Sequence, residues 1–176
     1  MKCPICQNED EKYFYEKNGQ IYCRKCIEFS KKQPPLKVVK KTKDIYYRLD
    51  YPLTPNQKKA SDLLIERYKN QQDTIMKGVC GAGKTEIIYG VIEYALNLGQ
   101  RVCLTMPRKE LVVELSKRIE KQFFHISPVL VYGDHHEQID GQFIICTTHQ
   151  LYRYPKCFEL LILVEFDAFP YRGNEV

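Results

Sequence analysis

The chain has 176 residues, 44% of them apolar and 28% charged, and a net charge of +5. That length accommodates one ordinary domain and a small accessory one, and the apolar share excludes a wholly disordered chain. The longest apolar runs, such as residues 160–164, fall far short of a membrane-spanning helix, and Met1-Lys2-Cys3-Pro4 opens no signal-peptide-like segment, so the expected location is the cytosol.

The first predicted element is a small metal-bound unit. Cys3-x2-Cys6 and Cys23-x2-Cys26, sixteen residues apart, have the spacing of a structural zinc site. Each Cys-x-x-Cys turn brings two thiolates to one side of a metal, and two such turns close a tetrahedron with no position left for water. Between them Tyr13-Phe14-Tyr15 reads as a strand, Asn18-Gly19 as a tight turn and Ile21-Tyr22 as the returning strand. The pattern predicts a zinc ribbon over residues 1–30. A segment of about 30 residues buries too little surface to fold unaided, and zinc binding worth roughly 10–16 kcal/mol supplies the difference. A redox pair of Cys-x-x-Cys motifs is the alternative. Cys103 and Cys146, inside apolar runs, read as reduced thiols, either ligands or small core residues.

Residues 31–50 read as a basic linker. Lys31, Lys32, Lys37, Lys40, Lys41 and Lys43 crowd around Pro34-Pro35, a composition that suits a solvated connector and phosphate contact equally.

The larger domain is expected over residues 51–176. Thr54, Pro55 and Gln57 form an N-cap, a first helical position and a capping-box partner, and residues 60, 63, 64 and 68 give the following helix one apolar face. A short strand at Thr74–Met76 is predicted to enter Gly78-x4-Gly83-Lys84-Thr85. A helix follows, with Ile87, Ile88, Val91, Ile92, Ala95 and Leu96 on its buried side and a stop near Gly99. Glycines let backbone N–H groups turn inward around phosphate oxygens, and the helix N-terminus adds a partial positive charge. A lysine in that first turn is disfavoured by about 0.3–1 kcal/mol unless an anion lies between it and the dipole. Thr85 offers a hydroxyl to Mg²⁺.

Downstream, residues 101–106 read as a strand, 109–124 as a helix with Leu111, Leu115 and Ile119 on one face, and 128–132, 143–147 and 160–164 as three further strands. Such alternation predicts an α/β domain with a parallel sheet covered by helices. His135-His136-Glu137 is read as a loop.

In order and spacing, GVCGAGKTE, MPRKELVVEL, TTHQLYRY and EFDAFPY resemble the helicase-like ATPases of superfamily 2, most closely the ComFA-like late-competence DNA-uptake ATPases. The primosomal helicase PriA is similar at a greater distance. The resemblance covers nearly the whole chain but only the front part of the family's length. It implies a RecA-like P-loop lobe, preceded by the ribbon, in an ATP-driven motor that draws single-stranded DNA inward during natural transformation. The implied cofactors are ATP, Mg²⁺ and structural Zn²⁺, and the implied partners are single-stranded DNA and competence proteins at the cytoplasmic face of the membrane. Gly78, Val79, Cys80, Gly81, Ala82, Gly83, Lys84 and Thr85 match the nucleotide loop, and Gln57 matches the adenine-reading glutamine, a role it can share with the cap. Arg108 and Thr148 match motifs that grip the nucleic-acid backbone; a solvated charge and a plain N-cap are their bland readings.

In the last motif the family places Asp-Glu, the Asp supporting Mg²⁺ and the Glu directing the attacking water. Ungapped alignment puts Val164 under the Asp and Glu165 under the Glu, so the catalytic candidates are Lys84 and Glu165 and the metal-supporting acid is missing. The chain also stops before the second lobe that such motors use. Three readings therefore stand: the ATP-binding, DNA-contacting front of a ComFA-like translocase; a non-enzymatic ribbon module with a vestigial nucleotide site; or part of a PriA-like replication-restart helicase.

Overall fold

The computed structural model describes residues 1–3, 7–17, 19–25, 43–79, 81–133, 135–136, 141–154 and 156–165. Near the N-terminus the Asp10 side chain accepts from the Lys12 amide and starts a 3-10 turn, Glu11–Tyr13. Strands β1 (Phe14–Lys17) and β2 (Gln20–Cys23) then pair antiparallel, with Phe14 opposite Cys23 and Tyr15 opposite Tyr22. Gly19 turns between them at φ +73°, which only glycine adopts without strain. The predicted hairpin is therefore present. Its core consists of Cys3 and Cys23, both buried, with Tyr13 and Phe14 against them.

The remainder is α/β. Its elements are β3 (Tyr46–Tyr47), α1 (Pro55–Lys69), α2 (Lys84–Asn97), β4 (Val102–Met106), α3 (Lys109–Gln122), β5 (Phe123–Phe124), β6 (Val129–Tyr132), β7 (His135–His136), β8 (Phe143–Thr147) and β9 (Leu160–Leu163). One sheet has the order β7-β6-β8-β4-β9. β6, β8, β4 and β9 run parallel, and β7 adds an antiparallel edge. β4 and β8 are buried along their whole lengths, as central strands covered on both faces must be. α2 delivers Ile88, Tyr89, Ile92, Ala95 and Leu96 to a core shared with Val102, Leu104, Met106, Phe143 and Ile145.

Five expectations change. Thr74–Met76 forms no strand. Among the described residues it pairs with no strand, the outer edge of β9 staying open, and Ile75 is 70% exposed. Leu63, expected on the buried side of α1, is 46% exposed, and the small side chain of Ser61 is buried instead. A Cβ on Gly90 would lie 2.6 Å from the Ser61 hydroxyl, so α1 and α2 touch closely where both residues are small. α3 ends at Gln122 rather than Phe124. Phe123 and Phe124, extended as bulky aromatics prefer, pair with Tyr47 and Tyr46 to make a two-stranded ribbon of their own. Residues 43–50 are more than linker: Ile45 is buried, and its N–H and C=O bond the Asn97 side chain at 3.0 and 2.7 Å. His135 and His136 form β7 rather than loop, while Glu137 and the lysines of residues 31–42 lie outside the described residues.

Candidate nucleotide-binding site

The glycine loop departs from Gly78 and closes on α2. Gly81 at φ +77° and Gly83 at φ +72° turn it in the left-handed region, and no side chain caps the helix that follows. The amides of that first turn therefore face the loop without a side-chain partner, which is the arrangement a helix start needs to receive an anion. Lys84 folds across the opening. Its Nζ donates to the carbonyls of Gly78 at 2.8 Å and Val79 at 3.0 Å. The unfavourable placement of an ammonium at a helix start is thus offset by two carbonyl dipoles of the loop itself. Thr85 is half-buried beside it, and Cys80 lies outside the described residues.

Gln57 belongs to two structures at once. Its Oε1 accepts from the Thr54 amide at 2.9 Å while its own amide donates to Thr54 Oγ1 at 3.3 Å, completing the expected capping box of α1. Its Nε2 donates to the Ala82 carbonyl at 2.9 Å. The cap and the loop contact coexist, and a Cβ on Gly83 would collide with Nε2. Glycine is required at 83 for backbone conformation and for room.

A second group gathers at the C-terminal ends of three adjacent strands. Val164, directly after β9, donates its amide to the Thr105 carbonyl at 2.8 Å and packs against the main core. The Thr105 hydroxyl, buried, donates to Thr148 Oγ1 at 3.4 Å, directly after β8. Arg108, the N-cap residue of α3, is exposed. Thr148 is only 4% exposed with its hydroxyl against Thr105, so of the two expected backbone-gripping residues only Arg108 presents its side chain to solvent. Thr148 is also not an N-cap: Thr147 holds that position for the 3-10 turn Thr148–Arg153. Glu165 is exposed and carries φ +57°, a left-handed conformation that costs a side-chain-bearing residue about 1–3 kcal/mol. Sequence reasoning missed Thr105; its one signal is a hydroxyl inside the apolar run VCLTM.

Two of the four paired cysteines are described. Cys3 and Cys23, one from each pair, are buried together, and Asn8 Nδ2 lies 4.0 Å from Cys23 Sγ. Cys6 and Cys26 lie outside the described residues, and among the described residues no three His, Cys, Asp or Glu side chains cluster as a metal site. Cys103 and Cys146 are core residues, their sulfurs 3.5 Å apart on neighbouring strands, and burial pushes the Cys103 thiol well up, which keeps it protonated and inert.

A loop turned by two left-handed glycines into an uncapped helix, with a lysine folded across it inside a parallel α/β domain, defines a RecA-like P-loop lobe. The family model described as "Type III restriction enzyme, res subunit" matches residues 50–167, and the chain belongs to that family. It is 35% identical over 186 residues to competence protein ComFA of Bacillus subtilis (strain 168), across 99% of this chain and 40% of that protein. It is likewise 35% identical over 184 residues to competence protein ComFA of Streptococcus pneumoniae (strain ATCC BAA-255 / R6), across 98% of this chain and 41% of that one. The chain is thus ComFA-like along nearly its whole length while spanning about two fifths of these relatives. No described helix is long and apolar enough to cross a membrane.

Proposed function

We propose that this chain is the ATP-binding, DNA-contacting front portion of a ComFA-like motor that moves single-stranded DNA during uptake, built as a zinc ribbon, a basic linker and a first RecA-like lobe. The observation that carries the reading is Lys84 folded over a loop whose helix start has no cap. In this reading the amides from Gly78 to Thr85 surround the phosphates and Lys84 exchanges its two carbonyl partners for phosphate oxygens. Gln57, already at the loop, reads the base, and Arg108 holds a DNA phosphate. Thr85 holds Mg²⁺, whose chemistry is to neutralise charge on the transferred phosphoryl group. Glu165 orients the attacking water.

The ribbon reading fits the donors present. Cys3 and Cys23, one from each Cys-x2-Cys pair, are buried in one cluster, as two pairs sharing one ion would require. Four thiolates would leave no open position, so the role is structural. Partners in the competence machinery, at the inner face of the membrane, are part of the same proposal, which the relatives' printed name supports only as far as competence.

Val164 favours a second reading, a DNA- or partner-binding module that holds nucleotide without turning it over. Valine gives no acceptor to metal-bound water, and here it packs against the core. Calorimetry with ATP, with and without Mg²⁺, tests the site: micromolar binding lost in Lys84→Ala supports it, and no binding at millimolar ATP overturns it. DNA-stimulated hydrolysis that rises in Val164→Asp separates the two readings in favour of a motor weakened at its metal, whereas equally robust rates in both proteins show that Val164 is no impediment.

A further inference from the structure

The ribbon of β3 and β5 alternates as strands must: Tyr47 and Phe123 point inward, against Tyr89 at 5.6 and 5.0 Å between ring centroids, and Tyr46 and Phe124 point out. The outward pair stacks face to face at 4.8 Å and 9°, yet Tyr46 remains 45% and Phe124 37% exposed. His125 sets its ring edge-on to Tyr46 at 5.5 Å. It holds a left-handed backbone, φ +65°, and its Nδ1 lies 2.7 Å from the Asp44 carbonyl. Packing of the core accounts for Tyr47 and Phe123. It does not account for three aromatic rings arranged on the outside.

Cations surround this platform. Lys43 and Arg48 flank β3 and are exposed, and the Arg48 amide bonds the Gln122 carbonyl at 2.8 Å, which sets Arg48 beside the end of α3. From there Lys121, Lys117 and Lys109 recur at spacings of four and eight along one exposed side of α3, with no ion pair to another described residue. An open groove of about 890 Å³ follows that side, lined by these lysines, Arg118 and Tyr132, with Asp50, Glu110 and Glu114 as its acids. Arg118 is paired with Glu86 and Glu114. The row ends at Arg108, about 20 Å from the platform at 1.5 Å per helical residue.

We infer that Tyr46, Phe124 and His125 form a stacking platform for unpaired bases, and that the strand's phosphates run from it along Lys121, Lys117 and Lys109 toward Arg108. Exposed rings with a π-face beside spaced cations are what single-stranded nucleic acid recognises without regard to sequence. The inference rests on the DNA-contacting part of the function proposed above and extends it to a site that the glycine loop does not touch.

The chain has no tryptophan, so Tyr46→Trp places its one tryptophan, excited selectively at the red edge of tyrosine absorption, in the platform. Titration of this variant with oligo-dT should quench its emission, while an abasic strand of equal length, which keeps the phosphates and lacks bases, should not. In anisotropy measurements Tyr46→Ala with Phe124→Ala should bind oligo-dT roughly tenfold or more weakly. Lys117→Ala with Lys121→Ala should instead flatten the salt dependence by about 1.4 in log–log slope. Unquenched emission with oligo-dT bound, or equal affinity for the abasic strand or for duplex DNA, overturns the platform. Calorimetry with ATP on the same proteins keeps the two ideas apart: a chain that binds ATP and DNA but ignores the ring substitutions leaves the motor reading standing, and ring-dependent DNA binding without ATP binding leaves only the platform.

Discussion

The two folded regions of this chain solve one problem by different means. The lobe buries a continuous core, with Tyr89, Ile92, Leu96, Leu104, Met106, Ile119, Phe143 and Ile145 all inaccessible to solvent. Among the described residues the hairpin region packs four side chains together, two of them cysteines. A core that small does not hold a fold in water, whereas apolar burial at about 25 cal/mol per Å² suffices for a lobe of this size. The lobe is stabilised by its own packing, whereas the proposed ribbon would take its stability from a bound ion.

Metal removal tests that contrast most severely. Chelation, or Cys23→Ser, should abolish amide protection across residues 14–23 and leave the thermal transition of the lobe within about 0.5 kcal/mol of its original stability. A hairpin that stays protected without metal would place the two regions on the same footing. A smaller effect is expected inside the lobe from Gly83→Ala. Left-handed backbone costs alanine about 1–2 kcal/mol, and the added Cβ also strikes Gln57 Nε2. Gly81→Ala shares the conformational cost but meets nothing within 4 Å, so urea denaturation should find it the milder of the two.

Ion pairing enters below that level. Arg101 forks onto Glu159 at 2.7 and 3.3 Å while its amide donates to the same carboxylate at 2.7 Å, joining the starts of β4 and β9. The guanidinium holds the Glu159 carboxyl below the usual carboxylate range. Because the folded-state pKa is depressed, this stabilisation is present above the unfolded value of about 4.3 and is lost as pH falls through the folded one. The carboxylate is 38% exposed, so the contribution is at most about 1 kcal/mol, and Glu159→Gln should flatten the acid limb of stability against pH by that amount. Smallest of all is Tyr89→Phe. The Tyr89 hydroxyl is buried without a hydrogen-bond partner, and burial drives its ionisation far up. Removing it should be neutral or stabilising by up to about 1 kcal/mol, since the ring contacts remain.

Elements with strong local causes were legible in the sequence. The capping box at Thr54 and Gln57, the apolar face of α2, the glycine turns and the four parallel strands each follow from residues close together in the chain. What was not legible depended on distant partners. Two-residue strands separated by more than seventy residues carry no periodicity, so β3 and β5 emerge only when Tyr47 and Phe123 find Tyr89. Thr74–Met76 has strand composition and, among the described residues, no pairing strand, although Met76 packs against the core. Within the candidate site the loop was readable from its glycines and lysine, but the Thr105 link between Val164 and Thr148 was not, because a carbonyl leaves no mark on the sequence.

Gln57 tethers the opening turn of α1 to the carbonyl of Ala82 through opposite ends of one amide. Any occupant that swings this side chain toward itself must also loosen the start of that helix. Deuterium uptake at the Thr54 amide, which donates to Gln57 Oε1, would then follow occupancy of the loop, so a helix cap doubles as a built-in gauge.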